Sequence, residues 1–184
     1  MSEKILILKN DRAGDLFTSL TLISSILSTY KDIKIYLSEF NSGFSFLFNK
    51  AVIKKINFKL SINNKFYIFF DIMVNKYDKI YILSPKNFYF ILPFFFRKTK
   101  FYAVVYDGLN SYRPSKYLRK FIYKYKIISR NKINPKSYRD LQSDLIDDDV
   151  LLDINHNGLS IPVINNELKN LLPGQFILFQ FRYL

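Results

Sequence analysis

The chain has 184 residues, 49% of them hydrophobic, which predicts one globular domain with a buried core and excludes disorder of the chain as a whole. It contains no cysteine and a single histidine, His156, which excludes disulfide bonds, cysteine-ligated zinc, a thiol nucleophile and a multi-histidine metal site. The formal net charge of +13 favours anionic partners such as phosphorylated sugars, lipid phosphates or nucleic acid, although codon bias in an AT-rich genome gives a similar excess of lysine.

The first part of the chain has the pattern of a strand, a loop and a helix. Ile5–Lys9 is a short apolar run, Asn10–Gly14 is a polar turn, and Asp15–Tyr30 repeats apolar residues at helical spacing. Ile33–Leu37 then predicts a second strand, and the segment Ser42–Phe48 predicts a short helix. This order is typical of a strand–helix–strand unit in a parallel sheet.

The same alternation continues through the middle of the chain. Apolar runs at Lys55–Leu60, Lys79–Leu83 and Phe101–Tyr106 predict further strands, and the segments 62–75 and 87–97 between them predict helices. We therefore expect an α/β fold of the Rossmann-like type, in which helices flank a parallel sheet on both faces.

The aromatic stretch Phe88–Phe96 falls well short of the roughly 18 apolar residues that a membrane-spanning helix needs. It is either a buried amphipathic helix or an anchor that lies in a membrane interface. The N-terminus has no apolar run of about 7 to 15 residues, which secretory signals contain. We therefore expect a cytoplasmic protein that is soluble or peripherally bound to the inner face of the plasma membrane.

Beyond residue 108 the segment Tyr112–Tyr125 is basic and aromatic and predicts a helix. Its Arg113 and Lys116 are candidate ligands for an anionic acceptor or a lipid phosphate, or they belong to an ordinary solvated helical face. Tyr138–Ile146 predicts another helix, and Asp147–Asp149 reads as a solvated acidic loop.

The stretch from Lys4 to Leu20 is the most informative, because its loop closes in the pair Gly14-Asp15 at a helix start just after the first strand. Its single glycine satisfies neither the dinucleotide fingerprint nor the P-loop motif. The strand of the type K-I-L-I, the Gly-Asp pair and the later segment Tyr77–Ile82 resemble family 9 glycosyltransferases, the heptosyltransferases. Leu172–Phe179 is similar to the start of that family's C-terminal domain, although the family's H-P-G turn is replaced by Phe179-Gln180-Phe181-Arg182.

The resemblance implies a GT-B glycosyltransferase, in which two Rossmann-like domains face a cleft. It implies inverting transfer of a heptose or related sugar from a nucleotide-diphosphate-sugar, used as a co-substrate without a bound cofactor or metal. The acceptor would be a lipid-linked or otherwise anionic saccharide of the cell envelope, as in lipopolysaccharide biosynthesis. Residues 1–154 would then form the acceptor-side domain, 155–174 a linker, and 175–184 the first strand of a truncated donor-binding domain. We expect the isolated chain to be inactive, and to need the missing domain or a partner chain for donor binding.

By its position in the Gly-Asp pair, Asp15 is implied to be the general base that takes the proton of the acceptor hydroxyl. The alternative is that Asp15 only caps a helix that begins at Leu16. Asp11 is a competing carboxylate, or a turn residue. The predicted acceptor-binding residues of this loop are Lys9, Asp11, Arg12 and Gly14, in addition to Arg113 and Lys116. Lys9 and Arg12 either bind a phosphate or carboxylate group of the acceptor or are solvated at the surface.

A second hypothesis is a non-catalytic, basic Rossmann-like module that binds nucleic acid or other anionic ligands. Tyr117 and Tyr123 lie among basic residues, as in proteins that stack nucleic-acid bases on aromatic rings. No helix-turn-helix, RRM or KH motif supports this hypothesis. Steeply salt-dependent binding of DNA or RNA would distinguish it from an acceptor domain.

Overall fold

The computed structural model describes residues 3–107, 116–129, 136–147 and 150–160, which build a parallel β-sheet covered by helices. Within these residues the sheet has six strands in the order β3-β2-β1-β4-β5-β6, and each neighbouring pair is parallel. The strands are β1 Lys4–Lys9, β2 Asp32–Ser38, β3 Val52–Ile56, β4 Lys79–Ile82, β5 Lys100–Asp107 and β6 Lys124–Ser129.

Helices connect successive strands, as the sequence pattern predicts for a parallel sheet. None of the described helices is long and apolar enough to cross a membrane. The helices are α1 Ala13–Thr18, α2 Leu20–Thr29, α3 Ile62–Asn75, α4 Asn87–Phe95, α5 Lys116–Arg119 and α6 Tyr138–Ser143, and a 3₁₀ helix covers Glu39–Phe48.

Strand β1 lies at the centre of the sheet because its side chains are apolar on both faces. Ile5 and Ile7 enter the hydrophobic cluster on one face, and Leu6 and Leu8 enter the cluster on the other. All four side chains are completely buried. Burial on both faces is what a continuous apolar run predicts in a parallel sheet.

The two faces of the sheet are covered by different helices. The first face packs against α1, α2 and the 3₁₀ helix, and the second face packs against α3 and α4. On the first face Tyr81 and Tyr102 stack with ring centroids 4.6 Å apart. Helix α6 and the residues that follow it cover the sheet beyond these rings, where Leu141 and Leu145 pack on Val104 of β5.

The predicted single helix over Asp15–Tyr30 is divided into α1 and α2 at Ser19. The hydroxyl groups of Thr18 and Ser19 both donate to the carbonyl oxygen of Asp15, at 2.7 and 3.2 Å. Side-chain hydroxyls that bind nearby carbonyl groups compete with the regular backbone ladder, which accounts for the interruption.

The two edge strands differ from the prediction. The sequence pattern predicts a strand over Lys55–Leu60, whereas β3 covers Val52–Ile56. Of the predicted helix over Tyr112–Tyr125, the first four residues lie outside the described residues; Lys116–Arg119 is helical, and the last two residues begin β6. Edge strands expose alternate residues and carry many lysines here, so their apolar signal is weak.

Residues 150–160 pack against the outer side of α2. The Asp153 carboxylate accepts hydrogen bonds from the Ser24 hydroxyl and, at 2.7 Å, from the backbone nitrogen of Gly158. Leu159 joins the cluster on the first face, and the Ser160 backbone nitrogen donates to the Leu47 carbonyl oxygen at 2.9 Å. Part of the predicted linker therefore contacts the domain. The proposed boundary at residue 154 and the strand over 175–184 stay predictions, since residues 161–184 lie outside the described residues.

Lys79 joins three distant parts of the chain at the amino end of β4. Its Nζ lies 2.9 Å from carboxylate oxygens of both Glu3 and Asp147, and it donates to the Tyr30 hydroxyl oxygen at 2.8 Å. Burial lowers the pKa of Lys79, but the hydrogen bonds to these groups raise it above its ordinary value. Asp147 also accepts a hydrogen bond from the Tyr102 hydroxyl at 2.7 Å. Asp147 therefore belongs to a partly buried ion-pair network centred on Lys79 and not to the solvated loop that its sequence context predicts.

Candidate active site

The candidate site lies where the chain leaves β1 and β4 in opposite directions. These strands are neighbours, yet β1 continues into α1 on the first face and β4 continues into α4 on the second face. In open α/β sheets, ligands bind in the crevice that such a change of direction opens beyond the carboxyl ends of the strands. The crevice is bordered here by residues 10–12 after β1 and residues 83–86 after β4.

A buried ion pair forms the floor of this crevice. Lys9 is completely buried, and its Nζ lies 2.8 Å from Oδ2 of Asp11 and 3.3 Å from the carbonyl oxygen of Leu83. Burial lowers the pKa of Lys9 and raises that of Asp11, while the charge of each group opposes the shift of the other. The Ser84 hydroxyl lies near the same carboxylate without a hydrogen bond of good geometry.

The loop that carries Asp11 is fixed by its backbone. The carbonyl oxygen of Asp11 accepts hydrogen bonds from the Ser38 hydroxyl at 2.6 Å and from Nδ2 of Asn41 at 3.0 Å. Ser38 is the last residue of β2 and Asn41 lies in the 3₁₀ helix, so two elements hold this one peptide group. The position of the ion pair is therefore set by the fold.

Asn10 connects the same loop to the second face of the sheet. Its Oδ1 accepts a hydrogen bond from the buried Tyr89 hydroxyl of α4 at 2.7 Å, and its Nδ2 donates to the carbonyl oxygen of Asn57 at 3.1 Å. These contacts attach the site loop to α4 and to the segment after β3.

Asp15 stands at the rim of the crevice with its carboxylate exposed. Helix α1 begins at Ala13 and has Arg12 at its N-cap, so Asp15 lies in the first turn. The interpretation that Asp15 only caps a helix beginning at Leu16 is therefore wrong. Among the described residues the Asp15 side chain has no hydrogen-bond or ion-pair partner, although its charge raises the pKa of both Lys9 and Asp11. The site thus combines an accessible carboxylate with a buried ion pair.

The other predicted site residues fall into different environments. Lys9, expected to contact an acceptor anion or to be solvated, is buried and supports Asp11. Arg12 and Gly14 are exposed at the rim, and a methyl group added at Gly14 would meet no atom within 4 Å. Arg113 lies outside the described residues, and only the backbone of Lys116 is described, at the start of α5. The contribution of this basic segment stays a prediction.

Lys86 is a cation of the crevice that the sequence analysis missed. It is half-buried, its Nζ donates to the carbonyl oxygen of Phe58 at 2.7 Å, and it lies 4.4 Å from the centre of the Phe58 ring. Burial lowers its pKa, while the charges of Asp11 and Glu39 raise it. Its position four residues after the end of β4 could have identified it as a site residue, because ligand-binding residues follow the carboxyl ends of strands in this fold.

No group of three or more histidine, aspartate or glutamate side chains that could hold a metal ion occurs in the part of the chain that the structure describes. The crevice offers the exposed carboxylate of Asp15, the Lys9–Asp11 ion pair and two further cations, Arg12 and Lys86. Such a set can accept a proton from a hydroxyl group and bind an anionic substituent of the same molecule.

No protein-family model matches the sequence, and no curated protein matches it. Among solved structures, the chain is similar to the ADP-heptose lipopolysaccharide heptosyltransferase II of E. coli, with a TM-score of 0.54 and 12% sequence identity. The match covers 89% of this chain and 48% of that chain, so this chain spans about half the length of the enzyme. At this identity the likeness concerns the fold, and it confirms the predicted Rossmann-like α/β class.

Proposed function

We propose that this chain is the acceptor-side domain of a heptosyltransferase-like inverting glycosyltransferase. The enzyme would transfer a sugar from a nucleotide-diphosphate-sugar to a lipid-linked or otherwise anionic saccharide of the cell envelope. The observation that carries the proposal is the exposed carboxylate of Asp15, which has no partner among the described residues and stands beside the Lys9–Asp11 ion pair at the end of the sheet where ligands bind in this fold. The fold that the chain shares with an E. coli heptosyltransferase supports it.

In the proposed reaction Asp15 acts as the general base. The acceptor hydroxyl oxygen attacks the anomeric carbon of the donor sugar, and its proton passes to the Asp15 carboxylate. The bond from the anomeric carbon to the phosphate oxygen breaks, and the nucleoside diphosphate leaves with that electron pair. Configuration at the anomeric carbon is inverted because the attack and the departure take place on opposite faces of the sugar.

Asp11 is better suited to position the site than to take the proton. Its Oδ2 is bound to Lys9, its carbonyl oxygen is held by two side chains, and the residue is 9% exposed. An acceptor hydroxyl would have to displace Lys9 to reach Oδ2. The side-chain carboxylate of Asp15 is exposed and has no partner among the described residues, and we therefore assign the base to Asp15 and the support of its loop to Asp11.

The two cations at the crevice suit an acceptor that carries phosphate or carboxylate groups. Arg12 is exposed beside Asp15 and presents a guanidinium group suited to bidentate contact with such an anion. Lys86 lies on the opposite side, following β4. Acceptor binding should therefore weaken when either cation is neutralised, and more so at low salt.

The test of the base is Asp15→Asn in the protein supplied with a donor-binding domain, followed by release of nucleoside diphosphate. We expect kcat to fall by about 10²- to 10⁴-fold, because the amide cannot accept the proton. Asp32→Asn, a change of another exposed aspartate at the opposite end of the sheet, is the matched control and should leave kcat unchanged. Near-normal turnover by Asp15→Asn would exclude this residue as the base.

Acceptor binding can be tested without any donor, by calorimetry of the isolated chain with a phosphorylated saccharide. Arg12→Gln should weaken binding, whereas Asp15→Asn should leave it within a few fold of the original affinity. Binding of DNA or RNA with a steep salt dependence, and none of the saccharide, would instead favour the basic binding module.

A further inference from the structure

An apolar surface lies on the side of α3 and α4 that faces away from the sheet. We call it the aromatic face; its main residues are Ile62, Phe66, Phe70 and Val74 of α3 and Phe94 and Phe95 of α4, which are between 41% and 70% exposed. We propose that the aromatic face docks on an anionic lipid bilayer.

Helix α3 is apolar on both of its sides. Ile68 and Ile72 are buried against the sheet, while Phe66 and Phe70, one helical turn apart, point outwards. A surface helix of a globular protein normally carries polar residues on its outer side, and a helix that is apolar all round is normally buried. The outer side of α3 therefore has the composition of a contact surface.

The aromatic face is continuous across the two helices. The ring of Phe69 lies 5.6 Å from that of Phe95 and 5.0 Å from that of Phe96, which joins α3 to the end of α4. Phe66, Phe70 and Phe88 help to line an open groove of about 400 Å³ along this surface. Contiguous apolar surface of this kind on a folded domain marks a site of protein or membrane interaction.

The charge around the aromatic face selects a negatively charged membrane over an apolar protein partner. Residues 51–100 contain ten lysine or arginine residues and two acidic ones. Both acidic side chains have partners, since Asp71 binds Lys34 at 2.6 Å and Asp78 accepts a hydrogen bond from the Lys4 backbone at 2.8 Å. Of the ten cations, Lys79 pairs with Glu3 and Asp147, and the other nine have no ion-pair partner among the described residues. The positive excess that remains complements a surface of anionic lipids.

Individual cations lie within the aromatic face itself. Lys65 lines the groove, and the Arg97 guanidinium lies 5.5 Å from the centre of the Phe94 ring and 5.1 Å from that of Phe121. Apolar and aromatic side chains that enter the boundary between headgroups and acyl chains, ringed by lysine and arginine, are typical of peripheral membrane proteins.

The aromatic face adjoins the candidate site. Phe88, which lines the groove, precedes Tyr89, whose hydroxyl donates to Asn10 of the site loop. A lipid-linked acceptor held in the bilayer would thus present its saccharide near the crevice. This link rests on the proposed function, whereas docking on lipid does not.

The test is flotation of the full chain with vesicles of phosphatidylcholine alone or mixed with phosphatidylglycerol, at low and high salt. We expect binding only to the mixed vesicles, weakened by salt. The double variant Phe66→Gln/Phe70→Gln should reduce the partition coefficient by at least about tenfold, because two aromatic side chains no longer enter the lipid. Lys65→Glu, which reverses one charge, should reduce it on the order of tenfold.

Matched controls change equally exposed residues elsewhere. Leu151→Gln/Ile154→Gln replaces two apolar side chains that are 87% and 64% exposed in the segment packed on α2, and Lys31→Glu reverses an exposed charge in the turn between α2 and β2, outside the aromatic face. Both should bind vesicles like the unchanged protein. Circular dichroism melts of every variant check that the fold is retained.

Several results would overturn the proposal: equal binding to both vesicle types, no binding to either, or unchanged binding by the Phe66→Gln/Phe70→Gln variant. A dimer in light scattering that this variant dissociates, without vesicle binding, would assign the face to a second copy of the chain. If the protein binds vesicles as expected but the Asp15→Asn variant still transfers sugar at the normal rate, the proposed base is refuted and the docking surface is not.

Discussion

The ion pair between Lys9 and Asp11 allows the strongest quantitative prediction. In Lys9→Met the Asp11 carboxylate remains buried in the crevice without its cation. Breaking a buried pair on one side costs on the order of 3 to 5 kcal/mol of unfolding free energy, because the remaining charge has lost both water and its partner. Asp11→Asn leaves the ammonium group of Lys9 in the same position and should be destabilising for the same reason.

The double variant Lys9→Met/Asp11→Asn removes both charges together. Since neither isolated charge remains, we expect it to be destabilised by much less than the sum of the two single variants. The 2.8 Å distance and the complete burial of Lys9 predict a coupling free energy of at least about 2 kcal/mol between the two positions.

Urea unfolding followed by far-ultraviolet circular dichroism measures this coupling, since the chain has no tryptophan to report by fluorescence. The exposed pair Lys136–Asp144 is a matched control, because its atoms are 2.7 Å apart and its side chains are 53% and 30% exposed. Its coupling should stay below about 1 kcal/mol. Additive effects at Lys9 and Asp11, or equal coupling in the two pairs, would refute the view that burial makes the site pair strong.

Two further predictions concern the segment that covers α2. A Cβ atom at Gly158 would lie 2.1 Å from the Ser24 carbonyl oxygen, so Gly158→Ala should lower the melting temperature by several degrees, whereas Gly43→Ala, which meets no atom within 4 Å, should not. Burial raises the pKa of Asp153, but hydrogen bonds from Ser24 and the Gly158 backbone lower it to about 2. A folded-state pKa below the unfolded value stabilises the protein above about pH 4, and this stability is lost as the pH falls towards 2. As the pH falls towards 2, the melting temperature of the unchanged protein should therefore decrease more than that of Asp153→Asn. An equal decrease in both proteins would contradict a stabilising role of the ionised Asp153 carboxylate.

The central strands and their helices could be predicted from the sequence because strands buried on both faces leave continuous apolar runs. Strand β1 was found in this way, and the parallel sheet followed from the alternation with helices. The edge strand β6 could not be recognised as easily. Its residues alternate between half-buried and exposed, and three of the first four positions are lysine or tyrosine side chains that also suit a helix surface.

The candidate site was predicted in part. Asp15 lies in the first turn of the helix that follows β1, at the end of the sheet where this fold binds ligands, and its role as the base stays a prediction. The burial of Lys9 was not foreseen, although Asp11 stands two residues later, and residues two apart in extended chain lie on the same side. That spacing was the available signal for an ion pair. The position of Lys86 shortly after β4 could have marked it as a site residue, but its proximity to Asp11 depends on the adjacency of β1 and β4, which only the structure shows.

The outer apolar stripe of α3 can be recognised in the sequence, because Ile62, Phe66, Phe70 and Val74 recur at intervals of four residues. The sequence does not show which side of α3 packs on the sheet, because Ile68 and Ile72 form a similar apolar stripe. Only the packed structure shows that the aromatic stripe is the uncovered one.

The contact between α2 and Asp153 has a consequence for the order in which the newly made chain can fold. Ser24 and Asp153 are separated by 129 positions, so α2 leaves the ribosome long before the residues that cover it. At synthesis rates of about 5 to 20 residues per second, the interval is roughly 6 to 26 seconds. During that time the strand–helix unit at the start of the nascent chain exposes the serine-rich side of α2, where Ser24, Ser25 and Ser28 stand. The serine hydroxyl groups on this side of α2 can be hydrated until residues 150–160 have been synthesised. An aliphatic surface at the same place would promote association with other nascent chains before the domain has folded.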